Sequence, residues 1–323
     1  MDDLFAFLDF QPQVVAGPRR LKVPLPLRHG VEFRDVSFSY PLSAPAGNGS
    51  PARPASAVPN PEARGHMPRA ASFGRHRANN GAPQEEARAK EVLKGVSFTI
   101  PAGQTVALVG ANGAGKTTLV KLLSRLYDPT EGQVLLDGTD LREFDLDDLR
   151  RQIAVVFQDY ARYQLPARDN IGFGQVDHLA DLERIMAAAA QGGAEPVIER
   201  LPHGYDTTLG RMFSGGVDLS GGEWQKIALA RGFMRAAPQL LVLDEPTAAL
   251  DAQAEYEIYE RFRDLTQGKT TLLISHRFST VKMADLIVVL EHGRVIEQGS
   301  HADLTVAGGT YARLYEMQAQ RYR

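Results

Sequence analysis

Apolar and polar residues alternate through residues 31–40, Val-Glu-Phe-Arg-Asp-Val-Ser-Phe-Ser-Tyr, which predicts a strand with one buried face. Strand signals return at 92–100. Short runs that are apolar or β-branched almost throughout follow at 105–109, 240–243, 270–274 and 286–290, and these predict strands enclosed on both faces. Between them, apolar residues recur at helical spacing over 118–126, 181–191 and 222–237, with Gly192-Gly193 and Pro238 as stops for the last two. Residues 146–185 mix loop and helix signals, and 311–323 predict a terminal helix whose basic end favours its own dipole. Strands alternating with helices imply an α/β fold with a mainly parallel sheet.

Two segments break the pattern. Leu4, Phe5, Phe7, Leu8 and Phe10 form a dense apolar cluster, after which Pro12, Pro18, Pro24 and Pro26 impose an extended course. Two accounts fit the cluster: it packs on its own domain, or it continues from a missing partner or upstream segment. Residues 41–90 hold eight of the 19 prolines, six arginines, two histidines and few large apolar residues, Phe73 among them. That composition cannot bury enough surface to offset its ordering entropy, and it predicts a disordered surface insertion.

Composition narrows the class. The 323 residues are 43% hydrophobic and 23% charged, a soluble globular profile long enough for one large or two modest domains. A net charge of −3 gives no overall pull toward nucleic acid or anionic lipid. There is no cysteine, so disulfides and thiolate metal sites are excluded. No apolar run approaches the ~18 residues of a membrane span, and the acidic start, Met1-Asp-Asp-Leu4, carries no secretory signal.

The chemistry begins at residues 110–117, Gly-Ala-Asn-Gly-Ala-Gly-Lys-Thr, which fit G-x-x-x-x-G-K-[ST] at every fixed position between a predicted strand and a predicted helix. Gly110, Gly113 and Gly115 let the backbone curl so that its N–H groups converge on an anion at a helix N-terminus. Lys116 can reach the outer phosphates and Thr117 offers a hydroxyl to Mg²⁺, so the octet predicts a nucleoside triphosphate site. A second apolar strand ends in Asp244-Glu245, at the sheet edge where α/β ligand sites form. Asp244 is placed to hold Mg²⁺ and Glu245 to polarise an attacking water. A third element, Leu219-Ser-Gly-Gly-Glu223, opens a helix. It reads either as an ordinary helix cap or as a second anion site, able to close on a phosphate held by another copy.

Together, Lys116, the Asp244-Glu245 pair and the Ser220-Gly221-Gly222 turn resemble the nucleotide-binding domain of an ATP-binding cassette (ABC) protein, thinly over about 31–60 and densely over 90–318. The resemblance implies a P-loop NTPase cassette with a mainly parallel sheet core, an antiparallel β subdomain and an α-helical subdomain, using ATP and Mg²⁺. It implies that Gly110, Ala111, Asn112, Gly113, Ala114, Gly115, Lys116, Thr117 and Thr118 cradle the phosphates and that Tyr40 stacks on adenine. Gln158 matches the glutamine that touches Mg²⁺ and the attacking water, beside Thr117 and Asp244 as metal ligands. Asp251 matches the loop that meets the opposite subunit, and His276 the histidine on the γ-phosphate. Glu245, His276, Gln158 and Lys116 are then the catalytic group, while Ser220, Gly221 and Gly222 complete the site of a second copy.

Residues 31–40, Asp137-Gly138, 149–153, Asn170-Ile171 and 293–301 are similar to half-transporter exporters rather than importers. On that likeness residues 1–30 are a linker following an absent membrane domain. Residues 31–318 are the nucleotide-binding domain, with 41–90 inserted and about 150–235 forming the helical subdomain with the signature motif; 319–323 are a tail. The implied partners are a second cassette, identical or not, and the transmembrane domain of the transporter, at the cytoplasmic face of the cell membrane and with no nucleic acid. The sequence departs from the exporter pattern at Glu223, where Gln or Arg is usual, and at 160–165 and 210–217. The alternative is a soluble ABC ATPase of DNA repair or translation, yet neither a coiled-coil insertion nor a second phosphate loop is present. A pure assembly module with a dead ATPase is disfavoured by Lys116, Glu245 and His276.

Overall fold

The structure is a computed structural model that describes residues 14–15, 17–41, 90–212, 215–235, 238–245, 266, 268–275 and 277–320. The expectations for the apolar cluster at 4–10 and for nearly all of the 41–90 insertion lie outside these residues. By contacts the chain divides into Ser39–Lys90, of which only Ser39, Tyr40, Pro41 and Lys90 are described, and the remainder, described below.

A four-stranded sheet is ordered β2-β1-β4-β5, from β1 (Gly30–Ser39), β2 (Glu91–Pro101), β4 (Glu131–Leu136) and β5 (Thr139–Asp140). β1 runs antiparallel to β4, with Val31 opposite Leu136 and Phe33 opposite Val134. The buried apolar side chains of β1 are Val31 and Phe33, then Val36 and Phe38, a change of phase in the alternation. The register shifts between Arg34 and Ser37, and Asp35 takes a φ of 49° there. A bulge of that kind absorbs one residue, so both halves present apolar side chains to the same core. Phe33 stacks on Phe98 of β2 at 4.6 Å.

The second sheet is ordered β10-β9-β3-β8-β7-β6. Its strands are β3 (Thr105–Val109), β6 (Ile153–Val156), β7 (Leu240–Asp244), β8 (Thr270–Ile274), β9 (Leu286–Glu291) and β10 (Arg294–Gly299). Pairing is parallel from β9 through β6, and only the β10 edge is antiparallel. β3, β7 and β8 are buried at every position, as runs without alternation require of strands covered on both faces. β6, inside the stretch of mixed signals, was not legible: its four residues follow directly on α2 (Leu146–Gln152), with no turn between to mark a boundary.

Helix α1 (Lys116–Leu123) follows β3 after the glycine loop. A helical module packs α3 (Ala167–Gly172), α4 (Leu182–Gly192), α5 (Glu195–Glu199) and α6 (Gly221–Phe233) around Ile185, Ala188, Trp224 and Ile227. Asp181, read as the first helical residue, instead caps α4 by accepting from the Arg184 N–H, and Gly193 closes the helix at φ 72°, where the glycine pair predicted its end. α6 is buried on two sides, with Trp224, Ile227 and Ala230 in the module and Leu229 against β6 and β7. It stops at Phe233, short of the predicted 237, where Arg235 donates to the Ile153 carbonyl at the start of β6. α7 (Phe278–Val281), α8 (His301–Ala307) and α9 (Thr310–Ala319) follow, and 321–323 of the predicted terminal helix lie outside the described residues.

Val15 and residues 17–30 lie along this unit as a strap. Buried Arg125 donates to the Val15 carbonyl, Asp148 accepts from the Val23 N–H, Gln239 from Leu27, and Asp137 from Arg28, His29 and Gly30. No described helix is long and apolar enough to cross a membrane.

Candidate active site

The glycine loop is dictated by its neighbours. At Gly110 a Cβ would run into the Leu290 carbonyl oxygen, and Gly115 combines a φ of 108° with a Leu93 methyl 2.6 Å from where a Cβ would stand. Only glycine meets both demands, so the loop turns tightly between β3 and α1. No side chain caps α1, which leaves its leading N–H groups directed at the mouth of the loop. Lys116 folds back across the loop, donating to the carbonyls of Gly110 at 2.8 Å and Ala111 at 3.1 Å. Burial pulls its ammonium below the ordinary lysine value, partly offset by Glu245 and Asp244.

β7 brings Asp244 to the same sheet edge. Thr117 Oγ1 donates to Asp244 Oδ2 at 3.0 Å, while Oδ1 is buried without a hydrogen-bond partner. Burial pushes this carboxyl up to about 6, moderated by the Thr117 hydrogen bond. A buried carboxylate oxygen without a partner, beside a hydroxyl, is a donor set suited to a hard cation such as Mg²⁺. Among the described residues no three acidic or histidine side chains cluster to hold a metal by themselves. Glu245 follows at a φ of 49°, an unfavourable region for a side chain with a Cβ, and its N–H is held by the Ile274 carbonyl at 2.9 Å. Gln158, just after β6, donates its amide to Glu245 Oε2 at 3.0 Å.

These groups line one open cleft of about 620 Å³: Gly110, Ala111, Asn112, Gly113, Gly115, Lys116, Thr117, Thr118, Gln158 and Glu245 face it. Ala114 is buried behind the loop, and Asp244 reaches the cleft through Thr117. Phe278, Leu314, Met317 and Gln318 also line it, from α7 and α9, and were not anticipated. For Leu314, Met317 and Gln318 the sequence signalled only the terminal helix, which does not say what that helix covers, and Phe278 had no local signal. Gln318 accepts from the Phe278 N–H at 3.3 Å. Tyr40 belongs to the other unit of the chain, and Asp251 and His276 lie outside the described residues.

The Ser220-Gly221-Gly222 turn does not line this cleft. It opens α6 with a capping box: Ser220 Oγ accepts from the Glu223 N–H at 3.3 Å, and Glu223 Oε2 accepts from the Ser220 N–H at 2.8 Å. Tyr160 ties the turn down from the module side, donating to the Gly221 carbonyl at 3.0 Å. One chain thus carries the glycine loop with its acid pair in one cleft, and elsewhere a capped serine-glycine turn that does not line that cleft.

Residues 93–248 match the family model described as ABC transporter. The chain carries the ATP-binding cassette of the ABC transporter family. An ATP-dependent lipid A-core flippase of Aromatoleum aromaticum is 47% identical over 231 residues, covering 71% of this chain and 37% of that protein. The flippase of Methylococcus capsulatus is 48% identical over 223 residues, 69% of this chain and 36% of its own length. A bacterial Atm1-family ABC exporter solved with ATP bound superposes with a TM-score of 0.75 at 32% identity, covering 99% of this chain and 47% of that one. The cassette therefore spans less than half of each of these relatives, and the glycine loop, Gln158, Ser220–Gly222 and Asp244-Glu245 all fall inside the matched family segment.

Proposed function

We propose that two copies of this cassette, or this one and a similar one, close head to tail around two MgATP and hydrolyse them to drive an exporter. The meeting of Lys116, Thr117, Asp244, Glu245 and Gln158 in one cleft carries this reading. The glycine loop N–H groups and Lys116 bind the triphosphate; on nucleotide entry Lys116 exchanges the Gly110 and Ala111 carbonyls for phosphate oxygens. Thr117, Asp244 and Gln158 are the residues that would hold Mg²⁺, whose charge neutralises the phosphates when it is bound. Glu245 takes the proton of the attacking water, and Gln158, hydrogen-bonded to it, orients both. Tyr40 stacks on adenine, His276 meets the γ-phosphate and Asp251 faces the partner copy; these three assignments rest on the family motif alone.

The Ser220 turn belongs to the partner's nucleotide, because in its own chain it does not face the cleft. ATP then acts as the bridge that closes the pair, and hydrolysis removes the bridge and opens it. Cargo is chosen in the membrane portion of such exporters, and the cassette works at the cytoplasmic face of that membrane. The test is Glu245→Gln. Turnover should fall by about 10²–10⁴-fold while MgATP binding persists and a stable pair accumulates on size exclusion. A variant that turns over at the parent rate removes Glu245 from the base role.

A further inference from the structure

Glu223 is the point where this signature turn departs from the family pattern, and it places a negative charge where a polyanionic nucleotide must dock. The carboxylate is fully engaged. Oε2 accepts from the Ser220 N–H at 2.8 Å, and Oε1 accepts from Arg200 Nη2 at 2.9 Å. Arg200 stands just past α5, and its Nε is steadied on the Pro196 carbonyl at 3.0 Å. The Arg200 side chain is 68% exposed, so burial does not account for where it points. Burial raises the Glu223 carboxyl, and the Ser220 hydrogen bonds with the charges of Arg200 and Lys226 more than reverse this, keeping it below its ordinary value. Glu223 is therefore ionised, and its charge faces the same turn whose Ser220 hydroxyl must donate outward. That hydroxyl accepts from the Glu223 N–H and lies against the Glu223 carboxylate, so the side chain of residue 223 sets which way it points.

We propose that Arg200 is a positioning residue for ATP-driven pairing: through Glu223 it neutralises the signature turn and fixes the orientation of Ser220. This rests on the cassette reading above. Arg200 does not line the nucleotide cleft, so it acts on closure and not on chemistry. Without it the Glu223 charge repels the incoming γ-phosphate, a screened surface effect of about threefold.

The experiment is steady-state ATP hydrolysis by the full chain in four forms: parent, Arg200→Ala, Glu223→Gln, and the double variant. Glutamine at the third helical position keeps the capping box, so Glu223→Gln removes the charge and leaves the cap. Arg200→Ala should raise KM for ATP about threefold in the Glu223 background with kcat held, and Arg200→Lys should restore most of the loss. Adding Arg200→Ala to Glu223→Gln should leave KM where Glu223→Gln alone set it. An equal rise in both backgrounds, or none in either, overturns the proposal, since a merely structural Arg200 would act regardless of residue 223. A parent chain that binds ATP without turning it over refutes the cassette mechanism itself. The relay fails separately where the parent is active and the two Arg200 ratios agree.

Discussion

Asp244 carries the largest electrostatic cost among the described residues of the cleft. Its carboxyl is pushed up to about 6 from an ordinary value of 3.8, because burial disfavours the charge more than Thr117 stabilises it. The folded chain thus holds this proton more tightly than the unfolded chain does. The stability the group confers is complete below the unfolded value and is lost as pH rises through about 4 to 6. Asp244→Asn keeps an acceptor for Thr117 and removes the charge. It should stabilise the nucleotide-free chain by about 1–3 kcal/mol at pH 7.5 and by much less at pH 4, read by urea denaturation at both. Equal changes at the two pH values would show that the cost is not electrostatic. The same substitution should abolish Mg²⁺-dependent turnover, since a residue arranged for a cation is unfavourable in its absence.

Elements were legible to the degree that their own residues specify them. β3 and β8 have the bounds their continuous apolar runs predict, because a strand covered on both faces needs no partner to reveal it. β1 was read as simple alternation, yet the phase change at Asp35 becomes meaningful only with β4 alongside. β6 and β4 were among the strands missed, one for want of a boundary turn and the other because its first half is a glycine between exposed Glu131 and Gln133. In the helical module, α4 ends where its glycines indicated, and the structure gives Gly192 a second duty. A Cβ there would sit 2.8 Å from the Ala230 Cβ and closer still to the α6 backbone. Gly192→Ala should therefore destabilise the module by about 1–3 kcal/mol through overpacking, measured by thermal unfolding. A neutral result would mean that α4 and α6 separate easily, and that the signature turn is held less firmly than its packing suggests.

At the scale of the whole molecule, the Ser220 turn does not line the cleft of its own chain, and the proposed pairing makes cradle and turn two halves of one site. Mixing makes that separation measurable. Lys116→Ala disables the cradle of its own chain, and Ser220→Ala disables the turn offered to the partner. Each alone should be nearly inactive. Combined in equal amounts, half of the pairs are mixed and each mixed pair holds one intact site, so activity should return to about a quarter of the parent value for independent sites. Recovery should rise with protein concentration. A mixture no more active than its components would show that Ser220 does not serve the opposite nucleotide.

Sequence alone determined the nucleotide chemistry, because a phosphate loop, a strand-end acid pair and a capped helix are local: each is written in consecutive residues whose backbone geometry follows from glycine, β-branching and caps. It also determined the α/β class, through runs whose burial needs a sheet between layers. Tertiary structure decided everything that depends on distance along the chain. It brought Thr117 to Asp244 and Gln158 to Glu245, laid α9 over the cleft, and set Arg200 against Glu223. Such contacts join residues tens of positions apart, and no local pattern encodes them, because the energy that selects them comes from packing the whole sheet and its helices at once.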